Sequence, residues 1–212
     1  MRRGLFLDFD GTLADSLPQL RAAYSGFLQT YGVEGSPAEF EEMNGPSLTE
    51  IVQRLRDRHS LDASHADLMR HYQDVLQDQE PHLRVHDGAY DLLDTATSLG
   101  FSIAIVTSSS RSRVEGFLRR TGLESAIDIV IGSELSAKSK PHPDPYLAAI
   151  HELSTDPLLS IAVEDSVAGV TSATAAGLPV VLVGPSKAPS SIPLLASVQS
   201  LRDVIPFLDA GP

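Results

Sequence analysis

Apolar residues fall into two textures along the chain. From about Leu17 to Gln79 they recur at helical spacing: Leu20, Tyr24, Phe27, Leu28 and Tyr31, then Ile51, Val52 and Leu55, then Leu68, Met69, Tyr72, Val75 and Leu76. Breaks at Gly35-Ser36-Pro37, at Asn44-Gly45-Pro46 and around residues 60–64 divide this stretch into about four helices, a bundle-like block. From Val85 onward short apolar runs alternate with helical patterns: FSIAIVT, RVEGFLRRTG, AIDIVIG, PYLAAIHEL, SIAVED, VTSATAAG and LPVVLVG. Near-continuous apolar strands separated by helices predict a parallel sheet covered on both faces. The opening LFLDF reads as one more strand of that sheet, so the helical block is an insertion after the first strand. Only GPSKAPSSIP, near residues 184–193, has the Pro/Ser texture of a loop.

Composition fits this organisation. At 212 residues the chain exceeds one typical domain of about 150 but hardly makes two, as expected for one core with a substantial insertion. A hydrophobic fraction of 42% supplies a proper core. With 28 acidic against 16 basic residues the net charge is -12, which repels nucleic acid and anionic membrane where basic residues do not cluster, and here they do not. Cysteine is absent, which excludes disulfides and thiolate metal sites. No apolar run is long enough for a membrane span, and Asp8 cuts the opening run too early for a signal peptide, so a cytoplasmic protein is expected, monomer or homodimer.

The polar residues at the strand ends carry the chemistry. Asp8 and Asp10 follow LFL, Thr107 and Ser108 follow IAIV, and Glu164 and Asp165 follow IAV. In an open parallel sheet the crevice beyond the carboxyl ends of the strands is where ligands bind. Strand alternation turns Asp8 and Asp10 to the same side, and Gly11 permits a tight turn with close backbone approach. Two carboxylates that close repel each other unless a cation or a shared proton intervenes. Asp165 adds a third, and oxygen donors of this kind suit octahedral Mg²⁺, whose common task is to hold and neutralise a phosphate.

The segments DFDGTLADS, TSSS, SKPHPDPYL and VEDSVAGV resemble, in order and at ordinary spacing, the four motifs of the haloacid-dehalogenase-like (HAD) phosphohydrolases. The resemblance covers essentially the whole chain. It implies an α/β fold with a Rossmann-like core in residues 1–15 and 86–212. It also implies a helical cap in residues 16–85, like that of the phosphoglycolate-phosphatase and β-phosphoglucomutase-like subgroup. By resemblance Asp8 is the nucleophile that forms an aspartyl-phosphate, and Asp10 is the general acid/base whose backbone carbonyl also binds Mg²⁺. Thr107 hydrogen-bonds a phosphoryl oxygen, with backbone N–H groups near Gly11 and Ser108 as further donors. Lys140, immediately before Pro141, matches the motif-three lysine, and Lys138, two residues earlier, points elsewhere. Asp165 ligates Mg²⁺ directly, and Glu164 directly or through water. The cap's specificity loop is expected at Asn44 and Gly45.

Each of these residues has a plainer reading. Thr107 and Ser108 could cap the next helix, Glu164 and Asp165 could begin one, Lys140 could be an exposed lysine, and Asp-Gly could simply make a turn. Only their convergence on one sheet edge favours the chemistry. The histidines His59, His65 and His71 are six apart and do not stack on one helical face, and a loop-like region splits His82 from His86. Solvated or core histidines are therefore expected rather than a metal site. Arg54 with Arg58, and Arg111 with Arg113, are expected at the surface, with anchoring of a substrate anion as the alternative.

The resemblance also narrows the reaction. Phosphonate-cleaving relatives need a cap lysine, and residues 15–85 contain none; true dehalogenases lack the second aspartate, and Asp10 is present. LADSLPQL is similar to phosphoglycolate phosphatases, whereas TSSSRSRVEGFL and SKPHPDPYL are closer to sugar-phosphate phosphatases and mutases. Where β-phosphoglucomutases carry a distal-phosphate arginine and a cap histidine, this chain has Leu48 and Leu20. Hydrolysis of a small phosphorylated metabolite is therefore expected, with a phosphosugar mutase and a non-catalytic phosphate binder as the alternatives.

Overall fold

In chain order the elements are β1 (Gly4–Leu7), β2 (Ala14–Asp15), α1 (Leu17–Thr30), α2 (Pro37–Glu42), α3 (Leu48–His59), α4 (His65–Gln79), β3 (Arg84–Val85), α5 (Ala89–Ser98), β4 (Ser102–Val106), α6 (Arg111–Thr121), β5 (Ile129–Ile131), α7 (Asp144–Leu153), β6 (Ile161–Glu164), α8 (Val167–Ala175), β7 (Val180–Val183), β8 (Ala196–Val198) and α9 (Ile205–Ala210). They come from a computed structural model that describes residues 2–43, 46–136 and 138–210.

Six strands form one parallel sheet in the order β5-β4-β1-β6-β7-β8. The first strand lies in the middle, between β4 and β6, so crossovers cover both faces, as the unbroken apolar runs require. Alternation along β1 sends Leu5 and Leu7 into one core layer with Ile103, Ile105 and Val163, and Phe6 into the other with Val106, Ala162 and Leu182. The Ala-Ser-Val edge strand β8 carries no apolar run, and the sequence pattern gives no sign of it.

The helices α1 to α4 fall where the three breaks put them, and each of α2, α3 and α4 starts on a serine cap. Ser36, Ser47 and Ser64 accept from the N–H groups of Glu39, Glu50 and Asp67. Their buried residues Tyr24, Phe27, Leu28, Val52, Leu55, Leu68 and Tyr72 make a third cluster, separate from the two sheet layers. Other members of the same apolar stripes, Leu20, Ile51, Met69 and Leu76, are half-buried and line a cavity above the sheet edge. The block joins the sheet through an antiparallel ribbon, with Ala14 opposite Val85 and Asp15 opposite Arg84.

Candidate active site

The carboxyl end of β1 hands the chain to a tight loop in which Ala14 N–H bonds the Phe9 carbonyl and Gly11 N–H bonds the Ala14 carbonyl, both at 2.9 Å. Gly11 has φ +84°, and a β-carbon there would run into the Asp165 carboxylate. Glycine is thus required both for the turn and for the approach of the first and fourth motifs.

At the centre of the crevice the buried Lys140 ammonium donates three hydrogen bonds: to Asp8 Oδ1 at 2.6 Å, Glu164 Oε1 at 2.5 Å and the Val106 carbonyl at 2.8 Å. Three donors meet three acceptors, so its orientation is fixed. Tyr146 donates its hydroxyl to the same Glu164 oxygen at 2.6 Å, and a β-carbon on Gly169 of α8 would overlap the Glu164 carboxylate. Burial pulls the lysine pKa down, but Asp8 and Glu164 outweigh it, and the net shift is upward. Burial pushes the Asp8 pKa well above its ordinary value, with Lys140 pulling it down and Glu164 and Asp165 adding to the rise. One oxygen from each of Asp8, Glu164 and Asp165 falls within 4.8 Å of the others. Three buried carboxylates against one ammonium, all hard oxygen donors, are chemically suited to a divalent cation such as Mg²⁺. Among the described residues this is the only such group; His59 instead faces Glu39, and His71 faces Tyr31.

Asp10 points away from that cluster. Its Oδ2 accepts from Ser109 Oγ and from Arg113 Nη1, both at 2.7 Å, and Arg113 donates through Nε to Glu80, just past α4. Burial pushes the Asp10 pKa up, yet Arg113, Ser109 and Ser16 together bring it below the usual value. Thr107 is buried at the end of β4, where its Oγ1 accepts from Ser109 N–H at 3.0 Å. The caps of the following helices are Ser110 and Ser166, so neither Thr107 and Ser108 nor Glu164 and Asp165 serve that plainer purpose.

A cavity of about 1040 Å³ opens above these groups, with Asp8, Asp10, Thr107, Ser108 and Asp165 on its floor and residues of α1 to α4 on its opposite wall. Lys138 is exposed, with His142 Nε2 3.4 Å away. Asn44 and Gly45 lie outside the described residues, although Met43, Pro46 and Ser47 line the cavity. Arg54 donates to the Glu42 carbonyl and Arg58 to Glu39 and Glu42, and neither lines the cavity. Arg113, expected at the surface, is instead drawn into the crevice by Asp10 and Glu80. Tyr146 and Ser109 were not singled out from the sequence, although each lies within a segment that was, SKPHPDPYL and TSSS.

Residues 5–183 match the haloacid dehalogenase-like hydrolase family. The chain belongs to that family. Among its HAD relatives, Protein CbbY of Rhodobacter capsulatus is 31% identical over 193 residues, 85% of this chain and 84% of that protein. Hexitol phosphatase A of Escherichia coli (strain K12) is 30% identical over 92% of this chain and 88% of that protein. In fold, the chain resembles the crystal structure of CbbY from Rhodobacter sphaeroides in complex with phosphate, with a TM-score of 0.82, 24% identity and 96% of both chains covered.

Proposed function

We propose that the chain is a Mg²⁺-dependent phosphatase that hydrolyses a small phosphorylated metabolite through an aspartyl-phosphate on Asp8, and that it works in the cytoplasm. The observation that carries this reading is the buried Lys140 ammonium, bonded at once to Asp8 and Glu164 beside Asp165, beneath a cavity large enough for a metabolite. Two relatives that match over most of their length, one of them a hexitol phosphatase, support it.

In this mechanism the ionised Asp8 attacks phosphorus, the bond from phosphorus to the ester oxygen breaks, and Asp10, which must first take up a proton against the pull of Arg113, gives that proton to the departing oxygen. Water then attacks the phosphoryl group and yields a proton to Asp10, and the bond to Asp8 breaks to release inorganic phosphate. Lys140 holds Asp8 in line and offsets charge on the phosphoryl oxygens. The Thr107 hydroxyl and the N–H groups near Gly11 and Ser108 supply further donors where that charge is spread. Mg²⁺, held by Asp8, Asp165, the Asp10 carbonyl and Glu164 directly or through water, would supply Lewis-acid neutralisation of the phosphate. Residues 16–85 act as the cap over a core of residues 1–15 and 86–212, with the specificity loop at Asn44 and Gly45. Leu20 and Leu48 both line the cavity, and neither can grip a second phosphate or shuttle a proton, which favours water over a sugar as acceptor.

The test is phosphate release from p-nitrophenyl phosphate and a panel of phosphorylated metabolites, with and without Mg²⁺, in the wild type and Asp8→Asn. Release that needs Mg²⁺ and Asp8 is expected; equal turnover by Asp8→Asn would remove the covalent route.

A further inference from the structure

The wall of the cavity facing the catalytic floor is built from Phe40, Met43, Leu48, Ile51, Met69 and Leu76, all contributed by the helical block. The polar side chains on α4 that reach this wall include Gln73 and Gln77, one helical turn apart, and Asp74. No lysine or histidine lines it among the described residues, and none of the residues outside the described stretches is Lys, Arg or His. The six arginines of the block, Arg21, Arg54, Arg56, Arg58, Arg70 and Arg84, are likewise absent from the lining.

The cavity's two arginines come from α6, and both are engaged. Arg113 is bonded to Asp10 and Glu80. Arg120 donates to the Leu83 carbonyl at 2.9 Å and the Glu80 carbonyl at 3.1 Å, with its guanidinium 5.4 Å from the centre of the Phe117 ring. Lys138 belongs to a neighbouring groove that it shares with Glu50 and Glu134. Away from the floor the cavity therefore presents hydrocarbon, amides, hydroxyls such as those of Ser47, Thr49 and Ser133, and the carboxylates of Asp74, Glu80 and Glu134. An anion held there would lose its water and find only Arg113, already paired with Asp10 and Glu80, and Arg120, already held by two carbonyls, against three carboxylates. An uncharged group with hydroxyls would find Gln73 and Gln77 as donors and acceptors, and its carbon skeleton would find the apolar wall. At about 1040 Å³, the space matches the upper end of ordinary ligand pockets (roughly 300–1,000 Å³) and far exceeds the needs of a two-carbon acid.

We infer that the substrate is a phosphate monoester of an uncharged, partly apolar alcohol of about six carbons or more, and that phosphorylated acids and bisphosphates are discriminated against. The inference rests on the phosphatase reading and names the substrate class of that same site. It is tested with pairs of esters that differ only in a carboxylate: glucitol 6-phosphate against 6-phosphogluconate, and 2-hydroxyethyl phosphate against phosphoglycolate, with p-nitrophenyl phosphate as a reference. In the wild type kcat/KM is expected to favour the neutral member of each pair by about tenfold or more, mostly through KM. Leu48→Arg and Met69→Arg, each placing a cation on the wall, are expected to narrow that ratio by raising turnover of the acid. Equal kcat/KM within the pairs, or preference for the acids, overturns the inference while leaving the phosphatase reading in place. Failure to release phosphate from any ester, p-nitrophenyl phosphate included, overturns the phosphatase reading and the inference with it.

Discussion

Arg113 Nη1 lies 2.7 Å from Asp10 Oδ2 while Arg113 Nε donates to Glu80, so one guanidinium ties the proposed acid/base to the segment where the helical block returns to the sheet. Its Cζ also sits 5.1 Å from the centre of the Phe9 ring, and the side chain is largely buried. Arg113→Ala is expected to lower kcat by about 10- to 100-fold with a smaller change in KM, because Asp10 loses the contact that aims it. Arg113→Lys keeps the charge but not the fork, and should recover only part of the loss. Steady-state kinetics of the two variants decide the matter, and a kcat unchanged in Arg113→Ala would make the contact merely structural.

This contact also marks where the sequence stops being legible. The aspartates after β1 stand out because a buried apolar run rarely ends in two carboxylates, and the sheet follows from runs apolar on both faces. Arg113 meets Asp10 across 103 positions and Glu80 across 33, and Tyr146 meets Glu164 across 18. Such pairs depend on which strands become neighbours and on how the block returns, and no local period encodes either. The stripes of the helical block are legible as helices, but not which of their residues would face the cavity instead of their own core. Strand β8 is hidden for another reason: at the sheet edge an Ala-Ser-Val segment needs no continuous apolar run.

Lys140→Met would leave Asp8 and Glu164 buried without their shared cation. Removing one partner of such a group costs about 3–5 kcal/mol, and loss of the lysine also removes a stabiliser of phosphoryl charge. Chemical denaturation should show that loss of stability, and turnover should fall to background. Because the Lys140 pKa is raised, its contribution is fully present below the ordinary lysine value and is lost only as pH rises through the higher folded value. The stability gap between Lys140→Met and the wild type should therefore persist or widen from pH 6 to 9, because Asp8 in the variant loses the downward pull of Lys140; a gap that closes within that range would contradict the raised pKa.

Divalent cation should register in folding as well as in catalysis. A ligand that binds only the folded chain stabilises it by about 2.7 kcal/mol at one hundred times its Kd. Mg²⁺ is expected to raise the melting temperature of the wild type and to leave Asp165→Ala nearly unmoved, while EDTA abolishes turnover and excess Mg²⁺ restores it. Equal thermal shifts in the two proteins would take Asp165 out of the cation site.

Acid should loosen the helical block through Glu39. This buried carboxylate accepts from the Tyr24 hydroxyl, lies 2.8 Å from His59 Nε2 and 3.3 Å from Arg58 Nη1, and sits in the first turn of α2. Burial pushes its pKa up, but the hydrogen bonds from Tyr24 and His59 and the charges of His59 and Arg58 outweigh that, and the net shift is downward. A carboxylate whose folded pKa lies below its unfolded one stabilises the fold above the ordinary value near 4.5, and that stabilisation disappears as pH falls through the lower folded value. Three of the five tyrosines, Tyr24, Tyr31 and Tyr72, lie in the helical block, so near-ultraviolet circular dichroism reports mainly on it. In an acid titration the tyrosine signal of the wild type should decline below about pH 4.5. Glu39→Gln should be less stable at pH 7 and should show a shallower decline in acid, since the group that titrates has gone. If Glu39→Gln loses its tyrosine signal over the same pH range and as steeply as the wild type, the acid sensitivity of the block has another origin.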